Sequence, residues 1–129
     1  MKLIKKIIVI SFICFTIFSC LDDTPCSFDG LSSIISVSEI TNGSVNQIIE
    51  FQVTHEPEFG CSSDRDFEVF SQQNNIFFIN QKIRTTCLCD ADPEPMTSTF
   101  VFTPITTGLF TFRFRKTDEE YIVRNVLVE

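Results

Sequence analysis

Seventeen acidic against ten basic residues in a chain of 129 give a formal net charge of −7, which excludes the cationic surface that a phosphate backbone requires. Fifteen phenylalanines exclude a disordered chain, which carries few aromatics. The length fits one domain with a modest core.

The chain opens with "MKLIKKIIVISFICFTIFSC", in which Lys2, Lys5 and Lys6 precede an apolar run from Ile7 to Phe18. A transmembrane helix needs roughly 20 apolar residues, so the run is short for an anchor. A charged start, a core of ~7–15 apolar residues and a small residue before a cut describe a secretory signal. An N-terminal signal helix is therefore expected, with residues 1–19 as the signal peptide. The closing "IFSC", Ile17 to Cys20, resembles the lipobox of bacterial lipoproteins. That resemblance implies that Cys20 is acylated and begins the mature chain, which then holds the membrane through its lipid. In that family an aspartate directly after the cysteine retains the protein at the inner membrane, so Leu21 implies onward transport to the Gram-negative outer membrane. The "CLDD" run is similar to the acidic signal of lipoproteins sent to the cell surface. The expected address is the outer membrane, on its periplasmic face or at the surface.

Residues 20–33, polar and containing Pro25 and Gly30, read as a lipidated tether, and residues 34–129 as the folded domain. From there a period of two dominates and no useful helical pattern occurs. "IISVSEI" (34–40) meets Asn42-Gly43, the strongest short hairpin signal. In "IIEFQVTH" (48–55), Ile49, Phe51 and Val53 share one face, with Glu50, Gln52 and Thr54 on the other. "FEVF" and "IFFINQKIR" flank a turn at "SQQNN". "TTCLC" reads as a short strand and "DADPEPMTS" as an acidic loop. "TFVFTP" turns Phe100 and Phe102 inward, and "LFTFRFR" turns Phe110, Phe112 and Phe114 inward with Thr111 and Arg113 outward. After a "KTDEE" turn, "YIVRNVLVE" closes the chain.

The segment "TTGLFTF" (106–112) resembles the turn and strand of immunoglobulin-like domains, where a Gly-x-Tyr-x-Cys run enters a central strand. Phe110 stands at the tyrosine and Phe112 at the cysteine, so neither the tyrosine-corner hydrogen bond nor the inter-sheet disulfide of that family is available. The expected fold is all-β, an antiparallel immunoglobulin-like sandwich of seven or eight strands.

Four cysteines remain in the mature chain: Cys26, Cys61, Cys87 and Cys89. An even number in an oxidising compartment reads as two disulfides. Cys87 and Cys89, two apart on a strand, share a face and do not bond each other. The pairs are then Cys26–Cys87 with Cys61–Cys89, or Cys26–Cys89 with Cys61–Cys87. A second reading makes Cys61, Cys87, Cys89 and His55 a copper or zinc site, since thiolates and imidazole suit those ions. Asp90, Asp92 and Glu94 alternate carboxylates as calcium loops do, without the glycine and distal glutamate of an EF-hand. His55, the sole histidine, sits at a strand-to-loop exit where a surface position is expected. Ser62 and Ser63 follow closely, the only basis for a hydrolase, and "GCSSD" is not a nucleophile elbow.

The function these features favour is a lipid-anchored envelope or surface module that binds or supports an envelope protein, without catalysis or cofactor. A metal-binding lipoprotein comes second and a hydrolase third.

Overall fold

A computed structural model of the chain describes residues 26–87 and 89–129. The expected signal helix, the signal peptide and Cys20 lie outside the described residues. Eight strands follow in order: β1 (Ser27–Val37), β2 (Asn42–Gly43), β3 (Ile49–Glu56), β4 (Ser62–Gln72), β5 (Ile76–Thr86), β6 (Met96–Phe102), β7 (Gly108–Arg115) and β8 (Tyr121–Val128). Among the described residues the chain is all-β, and no helix is long and apolar enough to cross a membrane.

The strands form one sheet in the order β2-β8-β7-β5-β1-β3-β6, with β4 on the other edge of β5. The sheet curls over through β1. Its first half, Ser27 to Ser32, pairs with β5, and its second half pairs with β3 from Ser33 onward, across an irregularity between Ile34 and Ser36. An irregularity of this kind bends a strand and sharpens its twist. The β3-β6 arm therefore folds over β7, and Phe51 of β3 comes within 5.0 Å of Phe112 and 5.4 Å of Phe114. Between them lies the core, built from Ile34, Phe51, Val53, Ile79, Phe100, Phe110, Phe112, Phe114 and Val126. The alternation expected for β3 and β7 holds: Ile49, Phe51 and Val53, and Phe110, Phe112 and Phe114, are all buried.

Four expectations are corrected. β1 begins at Ser27, inside the stretch read as tether, because its polar residues pair with β5 instead of trailing free. Asn42-Gly43 makes no hairpin turn; it pairs in parallel with Leu127 and Val128 of β8, and the reversal follows at Asn46, whose φ is 63°. Gly43 is needed for close approach, since a Cβ there would lie 2.7 Å from Ile49 Cδ1. The "TTCLC" strand does not exist separately: Thr85 and Thr86 end β5 and Cys87 is already in a turn.

Last, the sheet is mixed. After β5 the chain crosses to pair β6 with β3, then returns to lay β7 beside β5 in the same direction, from Ile76↔Thr111 to Ile79↔Phe114. Such a return needs a crossover, not a hairpin. The parallel pairing departs from the all-antiparallel sandwich expected from "TTGLFTF", which carries the strand and its inward rings but not its neighbours.

Candidate functional site

Three places gather the residues that the sequence singles out. The first is the end of the sheet where β1 starts and β5 stops. Cys26 bonds Cys87 and Cys61 bonds Cys89, with Cα–Cα distances of 5.1 and 6.1 Å. Of the two open pairings, this selects the first. The Cys87 N–H donates to Cys26 O at 2.9 Å and the Thr86 N–H to Cys61 O at 3.3 Å, so the bridges extend the β-ladder past its last strand residue. Gly60 lies so close to the Ala91 carbonyl that a Cβ would overlap it. The bridges remove Cys61, Cys87 and Cys89 from any thiolate set, which overturns the copper or zinc reading built on them. Among the described residues no three His, Cys, Asp or Glu side chains come together to hold a metal; Asp90, Asp92 and Glu94 lie in the connection between β5 and β6. An open cleft of about 490 Å³ beside Phe59, Asp92, Glu94 and Met96 remains.

The second place is inside. His55, expected at the surface, is fully buried. Its Nδ1 lies 2.8 Å from Ser32 Oγ, and its Nε2 lies 2.9 Å from Asp64 Oδ1 and 3.1 Å from Ser98 Oγ. A carboxylate only accepts, so the proton sits on Nε2, shared between Asp64 and Ser98, and Ser32 donates to Nδ1. Ser98 in turn donates to Gln81 Oε1 at 2.9 Å, and the Gln81 amide donates to the carbonyls of Arg65 and Lys82. Burial pulls His55 below the ordinary imidazole value of 6.5, and the neighbouring Asp64 carboxylate offsets part of that. The ring is held neutral.

Serine, histidine and aspartate in line have the order of a nucleophile, a base and an orienting acid. Ser32, however, has no exposed surface, and no substrate reaches its oxygen. Ser62 donates to the Phe59 carbonyl at 2.8 Å and lies 2.8 Å from Thr85 Oγ1. Ser63 donates to Arg84 O at 3.4 Å. Neither meets His55. The network ties β1, β3, β4, β5 and β6 together as a polar patch of core. Sequence could have found its centre, because His55 keeps the phase of Ile49, Phe51 and Val53.

The third place is the outer face of β4, β5, β7 and β8. Register places Phe70 opposite Phe78, Phe78 opposite Arg113, and Arg113 opposite Val123, in a single row across four strands. Phe70 and Val123 are about half exposed. Tyr121 meets the Phe78 ring edge-on at 5.4 Å, and farther along β7 and β8 the exposed Leu109 and Leu127 are paired. The Arg113 guanidinium lies over the Phe78 ring, 5.4 Å from its centre. Its Nε is buried and has no hydrogen-bond partner. Three other arginines are engaged: Arg84 with Asp29, Arg115 with Asp118, and Arg124 with the carbonyls of Val37 and Ser38. Among the described residues Arg113, like Arg65 on β4, makes no ion pair. Sequence showed Arg113 pointing outward but not its aromatic neighbours, because those depend on the parallel β5–β7 pairing.

Comparison of the chain with protein-family models, curated proteins and solved structures finds no match.

Proposed function

We propose that this protein is a lipid-anchored binding module of a Gram-negative cell envelope, held at the outer membrane through Cys20 and without catalytic activity. The observation that carries the binding role is the uncovered row Phe70–Phe78–Arg113–Val123, where apolar rings and an unengaged cation lie on the outside of an acidic chain. Exposed apolar residues scattered singly need no explanation, but a contiguous patch marks a contact surface. The address is supported by the ordered lysines, apolar run and "IFSC" of the N-terminus. Two disulfides fit the oxidising compartment to which such a signal leads. A non-catalytic role is supported by the sealed hydroxyl of Ser32 and the engaged hydroxyls of Ser62 and Ser63.

Two measurements test the reading. Cys20→Ser should abolish incorporation of a fatty-acid analogue; undiminished labelling would end the lipoprotein assignment. Native electrophoresis of gently solubilised membranes should show the wild-type chain in a complex larger than the monomer. Phe70→Ser combined with Val123→Ser should return it to the monomer while leaving the melting temperature unchanged. A wild-type chain that is monomeric throughout would remove the binding role.

A further inference from the structure

We infer that the occupant of the outer face is an acidic segment of another protein, whose aspartate or glutamate is received by Arg113 while flanking apolar side chains cover Phe70, Phe78 and Val123. The inference rests on the proposed reading of this face as the binding surface, and adds the chemistry of what binds there.

The head of Arg113 carries the argument. Its Nε is buried without a partner and its guanidinium carbon lies over the Phe78 ring, 5.4 Å from the centre, so its neighbour is an aromatic face and not a counter-charge. A guanidinium presents its donors in a fixed fork, the geometry that grips a carboxylate with two parallel hydrogen bonds. Glu68 accepts from the Asn80 amide at 3.1 Å and Asp118 pairs with Arg115, while among the described residues Arg113 makes no ion pair. Arg113 is left for something from outside.

The surroundings decide what that is. A second copy of the chain presenting the same face would bring arginine toward arginine, a repulsive match. A sugar chain needs many free polar partners, whereas here Thr111 donates to Asn125 at 2.9 Å and Asn80 to Glu68. What remains open around Arg113 is apolar, with Phe70, Val123 and Tyr121 exposed. An arginine and aromatic anchor ringed by apolar side chains is the composition of an energetic centre in a protein–protein contact.

The test uses the full chain in native membranes with a photo-cross-linking benzoylphenylalanine in place of Phe70, and a control at Thr99 on the outer side of β6. Cross-linked peptides sequenced from the Phe70 position should belong to a protein and carry aspartate or glutamate among apolar residues. Arg113→Gln should lower the yield roughly tenfold, as expected for loss of a charge-assisted hydrogen bond, and Arg113→Lys should restore part of it. Both variants should melt within a few degrees of wild type. Cross-links that persist undiminished in Arg113→Gln would overturn the acidic-segment inference and leave the binding face standing. Cross-links to a second copy, a glycan or a lipid would do the same. No cross-link from Phe70, whatever Thr99 shows, would overturn the binding-face reading along with the inference.

Discussion

β7 carries two sets of side chains on one backbone, and they serve different ends. Toward the core, Phe110, Phe112 and Phe114 are buried and touch rings from β3, β5 and β6: Phe51, Phe77, Phe100 and Phe102 all lie within 6.3 Å of one of them. Toward solvent, Leu109, Thr111, Arg113 and Arg115 line a face that no other described strand covers, Leu109 exposed and the other three half-buried. Successive residues point to opposite sides of a sheet, so a one-residue step crosses from the part that holds the fold to the part that we propose meets a partner. Substitutions on the outer side are expected to change binding with little change in stability, and those on the inner side to do the reverse.

The largest effect should come from the inner side. Phe112→Ala removes a fully buried ring that meets Phe51, Phe77, Phe100 and Phe102. It should cost about 3–5 kcal/mol, a large part of the stability of a small domain, seen as a shifted denaturant midpoint.

Removing the Cys26–Cys87 bridge, which spans a sequence separation of 61, should follow at roughly 2–4 kcal/mol. Cys26→Ser with Cys87→Ser measured against wild type under non-reducing conditions checks it.

The polar patch of core should come next and should depend on pH. His55 titrates below its ordinary value because burial disfavours the charged ring. Near pH 6.5 and below, the unfolded chain therefore takes up a proton that the folded chain refuses. The stability tied to neutral His55 is complete above that ordinary value and is lost as pH falls from it through the lower folded value. Since His55 is the sole histidine, the melting temperature should drop between about pH 7.5 and about pH 5.5. In His55→Gln the drop over that window should largely disappear. An unchanged slope in that variant would contradict the assignment of a buried neutral ring.

The smallest change in stability belongs to the outer face. Arg113→Gln forfeits one partly exposed cation–π contact, about 0.5–1 kcal/mol, and makes no other bond fail.

What the sequence disclosed follows the range of the interactions involved. β3 and β7 were legible because alternation is local: the phase of Ile49, Phe51 and Val53, or of three phenylalanines, needs no knowledge of neighbours. Cysteine pairing was legible down to two choices by the same face argument at Cys87 and Cys89. Longer-range facts were not. Asn42-Gly43 matched a turn, but a Cβ at Gly43 would crowd the Ile49 side chain, a contact that no local pattern shows. The start of β1 was hidden because Ser27 to Ser32 gain their order from β5 and from the Cys26–Cys87 bridge. His55 looked like a loop-edge residue from its neighbours Glu56 and Pro57, and its burial follows its phase with the strand. The candidate site was half visible. Arg113 could be placed on an outer face, but Phe70 and Phe78 join it only through a crossover that no local pattern announces.

The most direct measurement sets two adjacent residues of β7 side by side. Thermal melts of Phe112→Ala and Arg113→Gln, on the full chain at one pH, should separate widely. Phe112→Ala should fall by more than about 12 °C, and Arg113→Gln should stay within a few degrees of wild type. Equal losses in both would mean that the outer side of β7 is also structural, and would contradict the account.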